Sequence, residues 1–198
     1  MTSAFAGHIA GLGTSSGTRI VVGIWDTSPF GPFADVMLEQ PSGHRILLAP
    51  RQDIADFVAS TYTFDEVRIE PVSVARGEEW SVHTRSLQAR FTPGRRLWVS
   101  PVLRLVPSTI RRRSAWARAC NPVARRIMPG VQTFGTAGGG RTEWYAATQV
   151  RRLTCARATW EGEELGELAP VTPPVHFGFA SSPARPTVTA LTSYVREA

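Results

Sequence analysis

Four residues within a run of five, Arg141, Glu143, Trp144 and Tyr145, form the densest polar and aromatic cluster in the chain. On a strand successive side chains alternate, so Glu143 and Tyr145 share one face and Trp144 takes the other. A carboxylate and a phenol turned into an apolar cavity would orient a small ligand or pass protons, because burial raises a carboxyl pKa. The plainer alternative is a cross-strand Arg–Glu pair with aromatic packing, which implies little. Two further carboxylates sit in FADVMLE, where alternation puts Phe33, Asp35, Met37 and Glu39 on one face and Ala34, Val36 and Leu38 on the other. Asp35, Glu39, Arg141, Glu143 and Tyr145 are therefore the candidate ligand-binding residues, with Arg141 as an anchor for an anionic group.

Composition removes other chemistries. The sequence contains no Lys, so all 22 basic side chains are Arg. A guanidinium keeps its proton and cannot serve as an amine nucleophile, which excludes Schiff-base catalysis, a lysine tether for pyridoxal phosphate and the lysine of a P-loop. The loops GTAGGGRT (135–142) and GLGTSSG (11–17) lack phosphate-cradle spacing and read as turns. His8, His44, His83 and His176 are scattered, and Cys120 and Cys155 lie far apart without a CxxC, so neither a metal site nor a disulfide framework is expected, and the thiols should be buried and reduced. There is no GxSxG elbow. No cofactor is expected, and no catalytic residue can be assigned.

Charge is divided unevenly: residues 80 to 142 hold twelve Arg and no Asp or Glu, whereas the rest holds ten Arg and sixteen acids, +12 against −6. Arg111, Arg112, Arg113, Arg118 and Arg125 are candidates for binding an anion, either nucleic acid or an acidic membrane surface. No nucleic-acid-binding fold signature accompanies them, which disfavours nucleic acid. A solvated helix face is the bland alternative, as is neutralisation by the acidic strands. The N-terminus lacks a basic n-region and a long apolar stretch, and no window has the apolar length of a transmembrane helix, so a cytoplasmic protein is expected.

The elements that would position these residues are mostly strands. Residues 1–17, rich in Gly, read as a loosely ordered lead-in. TRIVVGIW (18–25) is apolar on both faces, as a central strand should be, and Phe33–Glu39 and His44–Ala49 should form a hairpin across PSG. Ile54, Phe57, Val58 and Tyr62 make one apolar stripe of a helix opened by Pro50. Pro71 breaks a strand over 64–74. Strands are expected over 80–91 and 96–106, joined by a turn at Thr92–Gly94. Ser108 and Asn121 cap two short helices, whose Trp116, Cys120, Val123 and Ile127 form an apolar stripe with Arg111, Arg118 and Arg125 opposite. VQTFG is a short strand, EWYAATQV and RRLTCARATW form a hairpin or one long bent strand, and a final strand covers 187–195. The whole is read as a single domain, 1–198, of the α+β class: β-rich, a curled antiparallel sheet or β-barrel with about three short helices.

The segment SPFGPFADVMLE resembles the strand-opening motif of acetoacetate-decarboxylase-like barrels, and RSLQARF, AGGGRTEWYAATQV and PPVHFGF resemble actinobacterial proteins for which no activity follows. The first resemblance implies a barrel with Asp35 near its cavity, beside a turn made by Gly31, Pro32 and Phe33. The family's decarboxylation needs an active-site amine, which this chain lacks, so the expected function is a small-molecule-binding barrel without Schiff-base chemistry. The alternatives are the Arg-rich anion-binding module and a structural homo-oligomer paired through edge strands.

Overall fold

The doubly apolar run of TRIVVGIW needs neighbours on both sides and both faces, and it receives them. It forms β2 (Arg19–Thr27), paired antiparallel with β1 (Thr2–Thr14) and β3 (Phe33–Glu39) in a computed structural model that describes residues 1–178 and 182–197. The expected hairpin joins β3 to β4 (Arg45–Ala49), and helix α1 (Gln52–Ala59) then returns the chain so that β5 (Glu66–Ile69) runs parallel to β4. That pair makes the sheet mixed rather than purely antiparallel. Past the break at Pro71 come β6 (Ser73–Ala75), β7 (Trp80–His83) and β8 (Leu87–Arg96). Helices α2 (Val99–Leu105), α3 (Ser108–Arg111) and α4 (Ser114–Ile127) follow in succession. Strand β9 (Phe134–Thr136), the 19-residue β10 (Thr142–Trp160), β11 (Glu163–Ala169) and β12 (Thr187–Arg196) complete the fold.

All twelve strands belong to one sheet. Between β1 and β10 the same column is filled first by β12 and further along by β11. The sheet curls part-way into a ring: apolar residues of β2–β4, such as Val22, Leu38 and Ile46, share one core with Val82, Leu87 and Phe91 of β7 and β8. Polar groups tie β5, at one end of the strand order, to turns on the far side of the sheet. Arg68 on β5 donates to Ser86 Oγ, 3.1 Å away, and to Glu161 in the turn after β10, 2.5 Å away.

Several expectations are corrected here. Residues 1–17 are not a loosely ordered lead-in, since Thr2–Thr14 is β1, paired with three strands. Its glycines mark close approach: a Cβ on Gly11 would fall 2.0 Å from Ser182 Oγ and one on Gly13 2.2 Å from the Pro170 carbonyl oxygen. Thr92–Gly94 is not a turn between strands but an irregular stretch within β8. Register shifts against β10 occur there, and Arg151 donates to the carbonyls of Pro93 (2.7 Å) and Gly94 (2.8 Å) that the ladder leaves over. Residues 99–105 form α2 instead of a strand, because Pro101 falls in the first turn, where its missing N–H is not needed. Asn121 caps nothing: α4 runs through Pro122, and the Asn121 Oδ1 accepts from the Thr133 N–H at 2.9 Å. Four α-helices result among the described residues. Cys120 is half-buried and Cys155 exposed, so the expected burial of both thiols fails.

Candidate functional site

Strand alternation sorts the sheet into two faces. Even-numbered positions of β1–β3, among them Ala10, Leu12, Val22, Ile24, Val36 and Leu38, feed the main core. Odd-numbered positions, Phe5, Ile9, Val21, Gly23, Trp25, Phe33, Asp35 and Met37, face away from it and wall a small cavity of about 60 Å³. Glu143 and Tyr145 of β10, Ser193 of β12, Phe57 and Tyr62 of α1 and the loop after it, and Ser182 also line it. The face predicted for Glu143 and Tyr145 is thus the cavity face. Trp144, on the opposite face, stacks on Tyr194 with ring centroids 5.3 Å apart and donates to the Arg112 carbonyl at 2.9 Å. The cavity therefore lies on the face opposite the core enclosed by the curl.

Two buried carboxyls meet this cavity in different states. Asp35 is 1% exposed; its Oδ1 accepts from Trp25 Nε1 at 3.0 Å, and its Oδ2 has no partner among the described residues. Gly23, directly across from Asp35 on β2, leaves the space for that bond, since a Cβ there would sit 2.4 Å from Oδ1. Burial pushes the Asp35 carboxyl up to about 7, only partly opposed by the Trp25 bond. Glu143 is held by three hydroxyls: Tyr145 at 2.8 Å and Ser193 at 2.9 Å on Oε1, and Tyr62, 2.8 Å from Oε2. Burial raises its pKa too, while those three bonds pull it down. The Tyr62 phenol rises well above its ordinary value, first through burial and then through the Glu143 charge. Such a site can hydrogen-bond a neutral polar group or hold a cation, and it opposes an anion.

Beside this cavity lies a larger apolar chamber of about 490 Å³ between the sheet and the three helices α2–α4. Trp116, Cys120, Val123 and Ile127, the expected stripe of α4, all line it, with Val102 and Leu103 of α2 and Ala147, Val150 and Leu191 of the sheet. Ile9, Tyr145 and Ser182 belong to both walls, so the Tyr145 phenol stands where the chamber adjoins the polar cavity.

The other candidates have different work. Glu39, 1% exposed, is not in the cavity wall; it pairs with Arg19 at 2.8 Å and accepts from the His176 backbone N–H at 2.6 Å, clamping the segment after β11 onto β3. Arg141 does not pair with Glu143. It bonds the hydroxyls of Ser60 and Thr61 and lies 5.3 Å over the Phe57 ring, anchoring the end of α1. Arg111 donates to the Leu103 and Val106 carbonyls at 3.1 and 3.3 Å, closing the C-terminus of α2. Arg112, Arg113, Arg118 and Arg125 are exposed, with Arg118 4.6 Å from the Phe134 ring. Sequence reasoning missed Tyr62, Ser193 and Trp25 as site residues. Tyr62 had a signal, a phenol on an apolar stripe that must find a partner, but not that partner's identity. Compared with family models, curated proteins and solved structures, the chain matches none.

Proposed function

We propose that the protein binds an elongated apolar small molecule, its body in the chamber under α2–α4 and its uncharged or cationic head at Tyr145, Glu143 and Asp35. The observation that carries this reading is the chamber itself: about 490 Å³, walled almost wholly by apolar side chains and adjoining a buried polar cluster at one end. That size lies in the range of small-molecule sites, and the pattern of apolar walls with a few convergent polar groups is the one such sites use. Asp35 and Glu143 disfavour an anionic head, because neither has a cation within reach among the described residues.

Trp98 and Trp116 line the chamber and report on its contents by fluorescence. Titration at neutral pH with dodecanol, dodecylamine and dodecanoate should show saturable binding of the first two and weak binding of the third. Ala124→Trp, placed on the chamber side of α4, should abolish it while leaving the fold intact. Equal binding of all three, or saturable binding that Ala124→Trp leaves unchanged, would overturn the reading.

A further inference from the structure

The cap helices carry a pattern that a ligand chamber alone does not require. Large apolar groups are exposed here: Leu105, 81% exposed, and Ile110 lie outside the chamber wall, while Trp98, 68% exposed, and Val102 belong to that wall and also meet solvent. Arginines flank them, and among the described residues Arg95, Arg96, Arg104, Arg112, Arg113 and Arg126 enter no ion pair. Among the described residues no acid forms an ion pair with these arginines; the seven acids that pair with an Arg do so with Arg19, Arg45, Arg51, Arg68, Arg76 and Arg90. Leu105 and Ile110 serve no chamber wall and stand exposed among these cations.

We infer that the α2–α4 cap docks on an anionic lipid bilayer, with its apolar side chains in the interface and its arginines against the headgroups. Exposed apolar groups beside unpaired cations are what an interfacial surface needs, since acyl burial and headgroup attraction add. No helix of the described residues is long and apolar enough to cross a membrane, so the cap would lie in the plane of the interface. A second copy of the chain fits less well, because two such faces would bring Arg against Arg with no acid between residues 80 and 142. Nucleic acid also fits less well, because Trp98 is the one exposed aromatic among the described residues of this face, and Leu105, Val102 and Ile110 offer bases no stacking surface. Docking would turn Trp98 and Val102, which belong to the chamber wall, toward the acyl chains. That last point alone rests on the ligand reading; the docking does not.

The test is flotation of the full chain with vesicles at near-physiological salt. One set is phosphatidylcholine alone; the other contains about one third phosphatidylglycerol. The protein should float with the anionic vesicles only. Leu105→Ser combined with Arg112→Gln and Arg113→Gln, none of which lines the chamber, should reduce partitioning about tenfold or more while dodecanol binding and the circular dichroism spectrum stay unchanged. Loss of dodecanol binding in the unaltered protein alongside intact flotation would sink the ligand reading and leave docking standing. Docking itself is overturned by failure to float, by equal recovery on both vesicle types, by salt-resistant binding to mixed-sequence DNA in place of vesicles, or by a dimer that Leu105→Ser dissociates.

Discussion

A carboxyl buried in an apolar wall is held there at a cost that depends on pH. Asp35 titrates near 7 in the fold because burial disfavours its charge. In the unfolded chain it titrates near about 4. Between those values the folded protein binds more protons than the unfolded one, so its stability falls as pH rises through that window and is level above it. Asp35→Asn keeps an acceptor for Trp25 without the charge. It should therefore raise the urea midpoint at pH 8, by an amount equivalent to as much as about 4 kcal/mol, and change it little at pH 4. An equal effect at both pH values would show that the carboxyl is not perturbed. The same titration governs the ligand: a cationic head gains a partner once Asp35 loses its proton. Dodecylamine should thus bind about tenfold tighter at pH 8 than at pH 6, while dodecanol does not follow. Alternation alone made the facing of Asp35, Glu143 and Tyr145 legible. It could not separate Glu39, on the same face of β3, from the cavity, because which loop covers that end of the strand depends on contacts with His176, far along the chain.

Elements were legible where their pattern was local. The β3–β4 hairpin, the helix after Pro50 and the break at Pro71 follow from alternation, stripe and proline placement. What failed was decided at a distance. Gly-rich β1 reads as a loop because glycine is a poor strand former, yet its glycines are where Ser182 and Pro170 press on the strand. Residues 99–105 alternate well enough for a strand, but become α2 where Ser100 meets β10. The Ser100 hydroxyl donates to the Val150 carbonyl and accepts from the Val150 N–H, both at 3.0 Å. The Leu97 N–H also reaches that carbonyl, at 2.8 Å, so removing the hydroxyl orphans chiefly the Val150 N–H. Ser100→Ala should therefore cost about 1–3 kcal/mol and lower Tm by several degrees, with α2 loosened from the sheet. A melting point unchanged within error would mean that α2 is held by its apolar contacts alone.

At the scale of the molecule, the sheet and the cap are held by unequal means. The strands bury a continuous core from β1 to β11, whereas in residues 97–130 only Ser100 and Ala117 are buried. Regions with few buried apolar contacts open at lower free energy than the whole fold, and amide exchange reports that difference directly. The amides of α2–α4 should exchange several orders of magnitude faster than those of β1, β2 and β10, by a process that leaves the sheet protected. A ligand seated between them binds the closed form and not the open one, so it must shift that local equilibrium in proportion to its concentration over its Kd. Saturating dodecanol should accordingly slow exchange in α2–α4 and at Tyr145 while barely altering β7 and β8, which lie outside the chamber wall. Mass spectrometry of deuterium uptake with and without dodecanol reads both effects. Cap amides as slow as those of β2, or protection by dodecanol spread evenly over the sheet, would mean that the helices are an integral part of one cooperative unit and that the chamber does not open on its own.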